Sequence, residues 1–135
     1  MTRLATNSRM LAWLLFLPVF LWAFSETVLS LYRRWVQFDE AYGHGFLVLL
    51  IVIYLVYDRR KEISQSRSIP NYYLAVPLLL LNAIWFLAFQ TDIEIIQQMA
   101  LPGMLMLVIW LVHGIRVLKI LWFPIAFLFF AIPAW

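Results

Sequence analysis

Residues 10–24 read MLAWLLFLPVFLWAF, a run without a polar side chain. A helix that crosses the roughly 30 Å hydrocarbon core of a bilayer needs about 20 consecutive, mostly apolar residues. The run reaches that length by continuing through Ser25, Glu26 and Thr27 to Tyr32. Arg3 and Arg9 upstream would also suit a secretory signal peptide. That alternative is set aside because the apolar run is too long, no small-x-small cleavage site follows, and further apolar runs come after it. The stretch is therefore expected to be a membrane span.

Bulk composition supports this. Of 135 residues, 65% are hydrophobic and 13% charged, against roughly 45–50% and ~25% in soluble domains. A water-soluble domain of this size keeps too much of its area exposed to hide so much apolar surface. Soluble globular, disordered and collagen-like chains are thereby excluded, and the bilayer becomes the expected partner. The net charge is +3, but the basic residues sit in short clusters between apolar runs. That pattern sets topology; it does not make a nucleic-acid face, and no nucleic-acid partner is expected. The sequence holds no cysteine, so these residues contain no disulfide, thiolate metal site or cysteine nucleophile. Aromatic residues make up 18%, with seven Trp, as suits membrane interfaces.

Further spans are expected over residues 42–59, 72–89, 99–112 and 117–135. Residues 58–71, DRRKEISQSRSIPN, form the one hydrophilic insertion and read as a simple cytoplasmic turn, with Pro70 ending any helix before the next span. Lys and Arg fix orientation. With the N-terminus inside, eight lie in cytoplasmic segments and two, Arg33 and Arg34, outside. The expected fold is an all-α integral membrane protein, a bundle of about five transmembrane helices with a cytoplasmic N-terminus, residues 1–135 forming one polytopic membrane domain. The chain ends at Trp135 as it would reach the far interface. A naturally short protein and a piece of a longer one both fit that ending.

Polar groups inside a bilayer need an account. Glu26 and Asn82 could face a polar cavity. The plainer alternatives are that Glu26 reaches the interface and that Asn82 makes an interhelical hydrogen bond, and these are preferred. The loop at 33–46, RRWVQFDEAYGHGF, is the richest polar segment. Asp39, Glu40 and His44 could be imagined as a metal site, but a fourth ligand is lacking and no metal is expected. A His–carboxylate acid/base pair there would lack a nucleophile. Gly43 and Gly45 are expected to let the chain turn into the next span, with His44 bonding backbone groups at the interface. Pro18, Pro77, Pro102 and Pro124 fall within spans, where they can mark kinks. His113 reads as an interfacial residue near a helix end. No phosphate-binding loop, HExxH or GxSxG occurs, and no cofactor is implied.

Gly43-His44-Gly45-Phe46-Leu47-Val48, followed by an apolar run and Tyr54…Asp58-Arg59-Arg60, resembles the HGFLV…YL-x-W-x-R-R signature of the exosortases. The segment from Phe123-Pro124 through Ala131-Ile132-Pro133 is similar to that family's FP-L-x-F-L-x-F-A-I-P stretch, and Leu101-Pro102-Gly103 with Trp110-Leu111…Gly114 to the stretch before it. The resemblance covers most of the chain from Trp35 onward, in the family's order. It implies a bacterial inner-membrane, multi-pass protein. Exosortases are thought to act as cysteine peptidase/transpeptidases on envelope proteins with a C-terminal PEP-type sorting tail, often alongside exopolysaccharide production. The family's catalytic Cys, Arg and His lie beyond the FAIP segment, so no catalytic residue is assigned here, and His44 matches the early HGF motif. The resemblance tips the reading of the ending toward the N-terminal portion of an exosortase. Two other classes fit the composition: a non-catalytic scaffold or subunit of an envelope or polysaccharide export system, and a transporter component. The transporter ranks last, because only Asn82 is polar near a midplane.

Overall fold

With no water to satisfy backbone groups in hydrocarbon, apolar segments must close their hydrogen bonds within themselves. The computed structural model describes residues 2–37 and 44–132, with side chains from Ser8 onward, and no strand occurs among the described residues. The helices are α1 (Thr2–Ala23), α2 (Ser25–Val36), α3 (His44–Asp58), α4 (Arg60–Gln65), α5 (Ala75–Gln90), α6 (Glu94–His113) and α7 (Ile115–Phe127). Short 3-10 turns lead into α5 (Tyr72–Leu74) and out of α7 (Leu128–Ala131).

The all-α membrane architecture is as the sequence implies, but the segments differ in reach. Tyr72–Gln90 and Glu94–His113 are each long and apolar enough to cross a membrane. The first expected span is broken: α1 and α2 meet at 79°. α3 has 15 residues and α7 has 13, which at 1.5 Å per residue gives roughly 22 and 20 Å, short of the ~30 Å core.

The break falls at Phe24 (φ −107°, ψ 26°), not at Pro18, which α1 runs through. Phe24 N still donates to Phe20 O at 3.1 Å and Val28 N to Phe24 O at 3.0 Å, so the ladder resumes within a turn. The cause lies in the residues just after it. Thr27 and Ser30 cannot face hydrocarbon cheaply, and the turn brings both against polar side chains of α6. Pro77 sits in the first turn of α5, where its missing N–H has no helical partner to lose. Pro102 and Pro124 lie within continuous α6 and α7.

α6 is the central helix. Its buried residues include Ala100, Leu101, Met104 and Ile109, whereas α5 buries only Ala88. One cluster joins α1, α5 and α6 around Phe20, Ala100, Leu101 and Met104. Trp13, Phe16 and Phe20 of α1 and Phe24 at the break recur at helical spacing and their rings contact one another in series, with centroids 5.3, 5.5 and 4.8 Å apart. Phe24 passes this series on to Trp85 of α5 at 4.7 Å. A second cluster packs α7 on α6 through Ile109, Val117, Leu121 and Ile125. A third seats the turn at Ala131 on Val48 and Val52 of α3. Gly103 lets α5 approach α6: a Cβ there would stand 3.1 Å from Leu81 Cδ2, the small-residue contact usual between membrane helices. Large apolar side chains such as Leu15 and Leu79 stand about 70% exposed, as lipid-facing positions do.

The insertion at 58–71 is more than a turn. After α4 the chain is extended, and Ile69 N donates to His113 O (3.2 Å), Asn71 N to Leu111 O (2.9 Å) and Ser68 Oγ to Val112 O (3.2 Å). These bonds satisfy carbonyls that the end of α6 leaves unpaired. Gly114 follows at φ +86°, and a Cβ there would collide with the Ile69 carbonyl.

Candidate functional site

The first motif segment opens α3, and the second closes α7. The fold brings them together. Trp35, one residue from the end of α2, donates its indole N–H to the Ala131 carbonyl at 2.7 Å. His44 Nε2 lies 2.9 Å from the Phe130 carbonyl. Phe46 meets Trp35 edge-on at 5.1 Å and Tyr32 at 6.0 Å. Two successive carbonyls of the 128–131 turn are thereby held by side chains 86 and 96 residues away in sequence. Ala131 and Ile132 are buried.

Gly45 has a different role from the one the sequence suggests. It lies inside α3, not in a turn, and it is buried. The Trp35 indole occupies the space that a Cβ would take. Glycine here permits the close approach of a ring. Gly43, Asp39, Glu40 and Pro133 fall outside the described residues. Among the described residues, no group of three or more His, Asp and Glu is placed to hold a metal ion.

Arg59 and Arg60 stand at the opposite end of α3. Arg59 Nη1 donates to Leu55 O at 3.4 Å, and Arg60 Nη1 to Tyr57 O at 2.9 Å with its guanidinium 3.8 Å over the Tyr57 ring. The fifteen residues of α3 separate them from His44 by roughly 20 Å. In α7, Pro124 is fully buried, while Phe123 is half exposed and stacks loosely on Phe127 at 6.0 Å.

Glu26 and Asn82 are not brought together. Glu26 is exposed in the first turn of α2. Asn82 Nδ2 donates to Leu78 O of its own helix at 2.9 Å, so its bond is intrahelical where an interhelical one was expected. An open apolar groove at the α5–α6 turn is lined by Ile84, Leu87, Ala88, Thr91, Ile93 and Ile96; neither residue reaches it.

The sequence did not reveal the buried polar cluster beside this end of the bundle. Thr27, with no exposed surface, donates to Gln97 Oε1 (3.1 Å) and accepts from Trp85 Nε1 (3.1 Å). Gln97 Nε2 donates to Ala88 O (3.2 Å), Gln98 Nε2 to Ser30 Oγ (3.1 Å), and Ser30 Oγ to Thr27 O (2.8 Å). Arg34 and Glu94 close the rim with an exposed ion pair. Among the described residues, no buried side-chain nitrogen or oxygen lacks a partner. The signal was present: Gln97 and Gln98 precede the apolar run of α6, and Thr27 and Ser30 share a helix face. His113 is likewise more than interfacial. It is buried, accepts from Trp13 Nε1 at 2.6 Å and lies 3.4 Å from Ser68 Oγ.

The family model for transmembrane exosortases matches residues 33–135. The chain belongs to the transmembrane exosortase family. No curated protein and no solved structure matches it. The exosortase match opens at Arg33, in the last turn of α2. It therefore takes in Trp35 together with both segments that Trp35 helps to join. α1 and most of α2 lie ahead of it.

Proposed function

We propose that this exosortase-family chain serves the sorting and processing of envelope proteins that carry a C-terminal PEP-type tail, in a system linked to exopolysaccharide production. It does so as a multi-pass protein of the bacterial inner membrane, with its N-terminus in the cytoplasm. The observation that carries the reading is the meeting of the HGF and FAIP segments, both inside the family match, through Trp35, His44, Phe130 and Ala131. Orientation draws support from the same geometry. The middle of α1, the 66–71 segment and the end of α6 gather at one end through Trp13, Ser68 and His113. By charge count that end is cytoplasmic. His44 lies at the other end, where externally exposed tails would arrive.

The 135 residues contain no cysteine, so the thiolate that the family chemistry calls for is not among them. A second reading is a non-catalytic membrane scaffold or subunit of an envelope or polysaccharide export system. Co-expression separates the readings. A membrane protein with a PEP-type tail is expected to co-purify with the chain and a tail-deleted version is not. Equal recovery of both would sink the sorting proposal and leave the scaffold for another partner.

A further inference from the structure

α2 turns two of its uncharged polar residues toward the protein. Thr27 and Ser30 are bonded into the cluster with Gln97, Gln98 and Trp85. Its exposed side carries Leu29, Tyr32 and Val36, which are 45%, 51% and 40% exposed and lie at helical spacing along one stripe, alongside the charged residues Glu26, Arg33 and Arg34. Arg33 stands beside that stripe, exposed and in no ion pair among the described residues. In water this arrangement would be unfavourable, since the apolar stripe would remain hydrated.

Position decides what covers the stripe. α2 leaves α1 at 79° and docks on the first turns of α6, through Gln97, Gln98 and the Arg34–Glu94 pair. If α1 and α6 cross the bilayer, α2 lies nearly flat across its boundary, at the depth where α6 begins. The stripe is then continuous with the lipid-facing surface of the spans. The exposed Arg33 would then reach the level of the lipid phosphates.

We propose that α2 is a membrane-interface helix, with Leu29, Tyr32 and Val36 seated between headgroups and acyl chains and Arg33 paired with headgroup phosphate. Helices of this kind bury their apolar face about 5–10 Å into the boundary. This accounts for Arg33 and Arg34 as exceptions to the charge rule: they sit on a surface helix, not in a free loop. The inference stands apart from the sorting function and needs only the membrane architecture.

The cysteine-free sequence allows a direct test. Single variants Leu29→Cys, Tyr32→Cys and Val36→Cys, each carrying a polarity-sensitive fluorophore, are reconstituted into vesicles of phosphatidylethanolamine and phosphatidylglycerol. Leu15→Cys, on the exposed face of α1, serves as the deep reference. Lipids bearing a quencher just below the headgroup are expected to quench the α2 labels about twofold more than lipids bearing it at the chain end. Leu15 should show the reverse order. Any one α2 position that folds suffices. Quenching by aqueous iodide alone would place α2 in water and overturn the proposal. Shielding from iodide and from both lipids would overturn it in favour of a protein partner. Chain-end quenching at α2 would mean a straight continuous span.

Discussion

Thr27→Val is the substitution that most directly weighs the buried polar cluster. Valine keeps the shape and removes the hydroxyl. Two bonds vanish: the one Thr27 donates to Gln97 Oε1 and the one it accepts from Trp85 Nε1, each 3.1 Å. Gln97 keeps its bond to Ala88 O through Nε2, so its amide loses only the acceptor contact. The Trp85 N–H loses its recorded partner. Hydrogen bonds between membrane helices average about 0.6 kcal/mol and reach about 1.7, so two contribute about 1 kcal/mol on average. An orphaned buried donor adds about 1–3 kcal/mol where water cannot reach it. The expected loss is therefore about 2–4 kcal/mol. Thr27→Ser keeps the hydroxyl and forfeits one buried methyl, about 1 kcal/mol. Reversible unfolding by detergent titration, followed by tryptophan fluorescence, measures both. If Val is as stable as wild type, or if Ser is the worse of the two, the cluster is not holding α2 to α5 and α6.

Gly45→Ala places a methyl inside the Trp35 ring; it should cost about 2 kcal/mol or more as overpacking, and the same change made in a Trp35→Ala background should cost little in the same titration. Gly114→Ala, at φ +86° and against the Ile69 carbonyl, should cost at least about 1–3 kcal/mol of backbone strain and expose the 66–71 segment to protease. A double-mutant cycle on Arg34 and Glu94, whose side chains are both 43% exposed, should return under about 1 kcal/mol and fade in salt.

Helix content and the order of apolar segments were legible because lipid permits few alternatives to a self-satisfied helix. The reach of those helices was not. Hydropathy carried the first span straight through Ser25, Glu26 and Thr27, since three polar residues barely dent a long apolar average. The bend depends on partners that hydropathy does not name: Gln97 and Gln98, some 70 residues on, receive Thr27 and Ser30. The motif segments were legible as strings, and their contact was not. Nothing in the local sequence of Trp35 says that its N–H will cap the carbonyl of Ala131, because long-range pairing is settled by packing. Gly45 shows the same limit, since its neighbour in space is an indole from another helix.

The geometry also divides the motif residues between two tasks. His44 and Arg59 belong to one continuous signature, yet fifteen residues of helix hold them apart, roughly 20 Å at 1.5 Å per residue. Hydrogen bonds act over about 3 Å, and exposed charges are largely screened beyond about 10 Å at 0.1 M salt. The arginine pair therefore cannot act directly on chemistry at the His44 end. Its own contacts are with Leu55 and Tyr57 carbonyls and the Tyr57 ring. Cations there complement the negative end of α3. Of the described motif residues, those able to serve a site at the other end are His44, Gly45 and Phe46 with the 128–131 turn. Trp35, absent from the motif strings, ties them together.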